Sequence, residues 1–173
     1  EMIDYDLKKI KALFFDVDGV LSTSTVSVDE HGIPLRSVNI KDGYAIQLAV
    51  RLGLNVAIIT GGNSVAIVNR YKSLGVNEIY TSANVKKDVY TKLLSKFNLQ
   101  TCEVLYMGDD IPDYEVMSSC GLPCCPKDAA IEIQQISKYI SPFTGGNGCV
   151  RDVIEQVLRG KGLWKLDKMA FGW

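Results

Sequence analysis

Acidic side chains in this sequence fall where they are hardest to keep. Asp16 and Asp18 close the apolar run Ala12–Phe15 with one residue between them, and Asp109, Asp110 and Asp113 follow the apolar run Val104–Met107 in the stretch GDDIPD. A carboxylate inside a protein is costly unless paired, hydrogen-bonded or bound to a cation. Two further groups share the pattern: Thr60, then Gly61 and Gly62, after Val56–Ile59, and Lys86 beyond Ile79–Thr81. Carboxylates with water suit Mg²⁺, and a lysine and a hydroxyl beside that cation suit an anionic substrate, phosphate above all. One acid can attack phosphorus and form an aspartyl-phosphate. An acid two residues on can protonate the leaving oxygen and then take a proton from water, while the lysine stabilises charge on the phosphoryl oxygens.

For these groups to meet, the apolar runs must lie side by side. The runs Ala12–Phe15, Val56–Ile59, Ile79–Thr81 and Val104–Met107, with weaker ones at Leu122–Cys125 and Tyr139–Ile140, alternate with helical patterns at Tyr44–Leu52, Ser64–Leu74, Val89–Phe97 and Val150–Leu158. Continuous apolar strands alternating with helices predict a three-layer α/β fold around a parallel, Rossmann-like sheet, whose binding crevice lies beyond the carboxyl ends of the strands. One insertion departs from the rhythm: Thr25–Asn39 alternates on both sides of a glycine-containing turn and predicts a β-hairpin directly after the first strand. Residues 160–173 are aromatic for a tail, which leaves two readings, a disordered end or an arm on a neighbouring subunit.

Length and composition bound the rest. The 173 residues suffice for one core and one domain. A net charge of −1 gives no electrostatic footprint for nucleic acid or an anionic membrane surface. No apolar run reaches the roughly 18–20 residues of a membrane span, and the N-terminal EMIDYDLKKI lacks a signal-peptide core, so a cytoplasmic protein is expected. The five cysteines (102, 120, 124, 125 and 149) lack zinc-ligand spacing and read as small buried thiols in a reducing compartment.

The four motifs, in chain order, resemble those of the haloacid dehalogenase-like phosphatase superfamily. The resemblance implies that Asp16 is the nucleophile and Asp18 the acid/base, that Thr60 and Gly61 meet the phosphoryl group, and that Lys86 neutralises it. It implies Asp16, Asp109 and the backbone carbonyl of Asp18 as Mg²⁺ ligands, supported by Asp110 and Asp113. Residues 19–59 hold only a hairpin and a helix besides the second strand, and residues 61–85 a helix and a strand, too little for a lid domain. The chain therefore reads as a capless member with an open site.

Finer motifs, NIKDGYAI after the hairpin and GGNGCVRD before the last helix, are similar to those of the 3-deoxy-D-manno-octulosonate 8-phosphate (KDO 8-phosphate) phosphatases. That family implies a Mg²⁺-dependent homotetramer acting towards lipopolysaccharide, in which neighbouring subunits complete each site and Arg70 grips the sugar acid's carboxylate across the interface. Gly145, Gly146 and Gly148 read equally well as a plain turn before a helix. The sister phosphatases of the nine-carbon keto-deoxy sugar acid carry Glu directly after the TG pair and Lys three positions beyond the arginine. Here those positions are Gly62 and Ser73, which favours the eight-carbon substrate. A phospho-receiver module shares the residue types, but its order places the phosphoacceptor acid mid-chain. An inactive binding relative would not be expected to keep Asp16, Asp18, Lys86 and Asp109 together.

Overall fold

The computed structural model describes residues 1–172. Six parallel strands, β1 (Ala12–Phe15), β4 (Asn55–Ile59), β5 (Glu78–Tyr80), β6 (Val104–Met107), β7 (Leu122–Cys125) and β8 (Tyr139–Ile140), form one sheet in the order β5-β4-β1-β6-β7-β8. The register places Phe15 beside Ile58 on one side and Met107 on the other, and Ile59 beside Tyr80. The residues that follow these strands therefore emerge along one edge. Every residue of β1, β6 and β7 is buried, as strands covered on both faces must be.

Alternate strand residues feed two cores. Leu13, Phe15, Ile58, Leu105 and Met107 pack beneath α1 (Ile40–Arg51), α2 (Val65–Ser73) and α6 (Cys149–Gly160). Phe14, Ala57, Ile59 and Tyr106 pack beneath α3 (Lys86–Lys96), α4 (Tyr114–Ser119) and α5 (Ile131–Ile136). The three-layer reading holds, and all six expected strands and four expected helices are present within a few residues of their expected bounds. The short helices α4 and α5, six residues each, escape the sequence reading because they span fewer than two turns and show no period.

The hairpin after β1 is smaller than its alternating sequence suggests. Only β2 (Ser27–Val28) and β3 (Pro34–Leu35) pair, antiparallel. Pro34 has no N–H to donate, and the Asp29 side chain takes up the amides of His31 and Ile33 in the turn. Val28, Ile33 and Leu35 are exposed.

As far as Gly172 the tail is folded, against the reading of a disordered end. It turns back on its own chain: Trp164 meets Tyr44 of α1 edge-to-face at 6.2 Å, the Arg151 guanidinium stacks over Trp164 at 4.9 Å, and the short helix α7 (Lys168–Phe171) receives a 2.6 Å hydrogen bond from the Tyr44 hydroxyl at the Ala170 carbonyl. The aromatic residues thus have an intramolecular surface to cover. Trp173 lies outside the described residues. Four cysteines are buried, Cys102 is partly so, and all five are free thiols; burial pushes the Cys120 thiol up to about 12.

Helix α6 begins at Gly148, whose left-handed backbone (φ 111°) suits glycine and which offers no capping side chain. Asp42 of α1 supplies the cap from outside, accepting from the Arg151 amide at 2.8 Å. It does so fully buried, with its other oxygen unpartnered, and burial pushes its carboxyl from the usual 3.8 up to about 6. The folded state thus holds this proton more tightly than the unfolded chain. The contribution to stability is complete below the unfolded value and is lost as pH rises through about 6, a loss of about 1–3 kcal/mol. Asp42→Asn should therefore raise the melting temperature at pH 8, with a gain that shrinks towards pH 5. Parallel melting curves for the two proteins across that range would refute the assignment.

Candidate active site

Each strand end delivers one part of the site. β1 runs into Asp16, whose amide still bonds to Met107 of β6 at 3.1 Å. β4 runs into Thr60, tied to Tyr80 of β5 by a 2.9 Å backbone bond, and β6 runs into Gly108 and Asp109. Lys86 opens α3, where the helix dipole disfavours a cation. It is buried there because its ammonium lies 3.0 Å from Asp16 Oδ1 and 2.8 Å from Asp113 Oδ1. The neighbouring Lys87 points elsewhere, donating to Ser119. The two adjacent lysines, indistinguishable by type, are separated by the fold.

Asp113 is the anchor. It is fully buried, and its Oδ1 accepts from Lys86 and from the Tyr106 hydroxyl at 2.7 Å. Its Oδ2 accepts from the amides of Asp109 at 3.0 Å and Asp110 at 3.4 Å. Both oxygens are thus committed to fixing Lys86 and the loop that carries Asp109. Asp110 caps the following turn by accepting from the Ile111 amide, the helix-start role its position suggests. Tyr106 was not legible as a site residue, since inside an apolar strand it reads only as core.

Asp16, Asp109 and Asp113 bring carboxylate oxygens within 4.8 Å of one another. Burial, and then the charge of Asp113, push Asp16 well above the ordinary carboxylate range in spite of Lys86, and the same two causes push Asp109 up to about 7. For Lys86, burial works against its charge, but Asp16 and Asp113 outweigh it and the ammonium is held more tightly than usual. Five carboxylates (Asp16, Asp18, Asp109, Asp110, Asp113) face two cations, Lys86 and Arg36. With Asp113 occupied by its four donors, Asp16 and Asp109 are the close acids left for a cation, an all-oxygen donor set that fits Mg²⁺.

An open pocket of about 490 Å³ lies over these groups, lined also by Asp18, Ser24, Thr60, Gly61, Gly62 and Asn84. Thr60 is buried and its hydroxyl accepts from the Gly62 amide at 3.1 Å. Arg70, expected at a binding site, is not brought to this pocket. Its guanidinium lies against Gly43 of α1, where an added Cβ would fall 2.7 Å from Nη2, and its Nε is buried without a hydrogen-bond partner.

Two glycine contacts explain the loop geometry. A Cβ at Gly19 (φ 80°) would stand 1.9 Å from Asp109 Oδ2, and one at Gly145 would stand 2.0 Å from the Gly19 carbonyl. The segment before α6 is therefore more than a turn: it presses on the loop that follows Asp18, and that loop presses on Asp109. Arg36 is the other group the sequence reading missed. It leaves the hairpin just after β3 and grips Asp18 with both arms of its fork, Nε to Oδ1 at 2.6 Å and Nη2 to Oδ2 at 3.0 Å. An arginine in an exposed-looking hairpin carries no sign of this.

Residues 75–153 match the model of the haloacid dehalogenase-like hydrolases. The chain is 34% identical over 161 residues to the 3-deoxy-D-manno-octulosonate 8-phosphate phosphatase of Escherichia coli, covering 93% of this chain and 85% of that protein. The chain belongs to the haloacid dehalogenase-like hydrolases. Within that family its relatives include KDO 8-phosphate phosphatases. The crystal structure of the Yersinia pestis enzyme superposes with a TM-score of 0.88 at 32% identity, covering 91% of this chain and 85% of the other. That of the Moraxella catarrhalis enzyme, in complex with magnesium, phosphate and KDO, gives 0.86 at 30%, covering 91% and 90%. In this haloacid dehalogenase-like chain only the hairpin, α1 and β4 lie between Asp18 and Thr60, and only α2 and β5 between Thr60 and Lys86, as a capless member requires. No helix among the described residues is long and apolar enough to cross a membrane.

The crowding of carboxylates has a measurable consequence. Asp109→Asn should weaken Mg²⁺ binding by about tenfold or more in titration calorimetry. The same change should raise the melting temperature of the metal-free protein at pH 8, because it removes a buried like charge, and that gain should fade below about pH 7, where Asp109 takes up a proton. A metal-free protein destabilised by the change at both pH values would contradict the account.

Proposed function

We propose that this protein is a Mg²⁺-dependent phosphatase that hydrolyses KDO 8-phosphate to KDO and inorganic phosphate through an aspartyl-phosphate on Asp16. The observation that carries the reading is the meeting of Asp16, Lys86, Asp109 and Asp113 at one sheet edge beneath an open pocket. Asp16 attacks phosphorus with its orientation set by the Val17 amide, which donates to Oδ1 at 2.7 Å. Lys86, between Asp16 and Asp113, stabilises the phosphoryl oxygens as they gain charge. Thr60 and Gly61, which line the pocket, would hydrogen-bond the phosphoryl group. Asp18 passes a proton to the leaving oxygen and later accepts one from water. Asp16, Asp109 and the Asp18 carbonyl would hold Mg²⁺, which neutralises charge between nucleophile and phosphoryl group when bound.

The eight-carbon substrate is favoured over the nine-carbon one by the surroundings of Gly62. A Cβ there would come within 2.8 Å of Arg36 Nη2, so a glutamate at this position would crowd the guanidinium that holds Asp18. The chain acts as one catalytic domain in the cytoplasm, on the route to lipopolysaccharide. It works as a homotetramer in which the exposed hairpin and Arg70 serve neighbouring subunits. The exposed Val28, Ile33 and Leu35 of the hairpin support that assembly.

Asp16→Asn should abolish phosphate release while leaving the melting curve cooperative; residual turnover near the parent level would end the aspartyl-phosphate mechanism. For the unaltered protein, kcat/KM should be higher on KDO 8-phosphate than on the nine-carbon 9-phosphate, and the reverse order would reassign the substrate. Arg70→Ala should lower kcat/KM on the sugar acid phosphate by about tenfold or more and leave an aryl phosphate nearly unaffected. Equal losses on both would remove Arg70 from substrate binding.

A further inference from the structure

The proton-transfer carboxyl is not free in this structure. Asp18 is roughly half exposed, yet both its oxygens are held by Arg36, whose own side chain is only 9% exposed. Arg36 is seated among Val17, Thr60, Gly62, Ser64 and Ile67. Ser22 Oγ adds a longer contact of 3.4 Å to Asp18 Oδ1. The guanidinium also lies close over Gly62, where an added Cβ would stand 2.8 Å from Nη2. A planar fork on a carboxylate fixes the plane of the acceptor as well as its position. A carboxylate gripped by both oxygens still has lone pairs with which to accept a proton. To donate one, it must open a contact of the fork, because a protonated oxygen accepts less.

We propose that Arg36 is a positioning residue for Asp18 in the second half-reaction, the attack of water on the aspartyl-phosphate. This rests on the phosphatase function proposed above. In that step the water oxygen bonds to phosphorus and the bond from phosphorus to Asp16 breaks. Asp16 departs as a carboxylate, the water proton passes to an Asp18 oxygen, and inorganic phosphate leaves. The proton then on Asp18 is the one available to the next leaving group. Arg36 does not line the pocket over Asp16 and acts through Asp18. It sets the carboxylate that takes the proton, and it makes the hairpin a working part of the site rather than an assembly element alone.

The consequence is a split between kinetic constants. With p-nitrophenyl phosphate and Mg²⁺, Arg36→Ala should lower kcat by about tenfold or more while kcat/KM, which reports formation of the aspartyl-phosphate, stays within about threefold. Stopped flow should show a burst of about one p-nitrophenolate per site, absent or smaller in the parent, as the covalent intermediate accumulates. Arg36→Lys keeps the charge without the fork and should show the same signature more weakly, which preserves the test if the alanine variant folds poorly. Loss of kcat and kcat/KM together, or unchanged constants with no burst, would overturn the positioning role. Parent protein that turns over no phosphomonoester, or Asp16→Asn that remains active, would instead overturn the phosphatase reading, and the role of Arg36 with it.

Discussion

The contact between Lys86 and the two acids Asp16 and Asp113 is the constraint on which the rest of the site depends. Three carboxylates stand within 4.8 Å of one another at the end of a fully buried strand pair, and burial pushes Asp16 and Asp109 above the ordinary carboxylate range. A buried ammonium at 3.0 and 2.8 Å, the Tyr106 hydroxyl and two backbone amides relieve part of that cost. They do not relieve all of it, since Asp109 remains pushed up to about 7. The remaining excess of negative charge is what gives the site its affinity for a small hard cation. Stability and function pull in opposite directions here, as is usual where a site is built from like charges.

Close backbone packing transmits that arrangement outward. Gly145 lies against Gly19, Gly19 against Asp109, and Gly62 against Arg36, each at a distance that leaves no room for a methyl group. The loop before α6 is in turn held by Asn39 at the start of α1 and by Asp128, which accepts from the Gly145 amide at 2.9 Å. The helix pair α1 and α6, joined by the buried Asp42 cap, is therefore linked through the Gly145 and Gly19 loops to the Asp109 side chain. The tail strengthens the same pair from outside by closing over Tyr44 and Arg151.

Much of this was legible in the residues themselves. Short apolar runs such as Ala12–Phe15 and Val104–Met107, alternating with helical patterns, read as covered strands, and a parallel α/β sheet sends their carboxyl ends to one edge. Asp16, Asp18, Thr60, Asp109, Asp110, Asp113 and one of the adjacent lysines Lys86 and Lys87 could thus be assembled from type, spacing and topology, and the acids, Thr60 and Lys86 all line the pocket. Helices α4 and α5 could not be read, because six residues carry too little period, and the hairpin was overestimated because alternation is blind to a proline where a donor is required.

What the sequence by itself determined was the chemistry and its order along the chain, because both follow from residue type and from the local pattern of strands and helices. What only the tertiary structure decided was which polar groups hold the chemistry in place. Lys86 rather than Lys87 enters the site, Asp113 spends its oxygens on support, Tyr106 reaches Asp113 from within a strand, and Arg36 crosses from the hairpin to Asp18. Arg70 is turned away from its own pocket, and the tail returns to its own first helix. These choices depend on distances between residues far apart in the chain. A charge becomes a partner, a ligand or a solvated ornament only when packing sets its neighbours and the water it has lost.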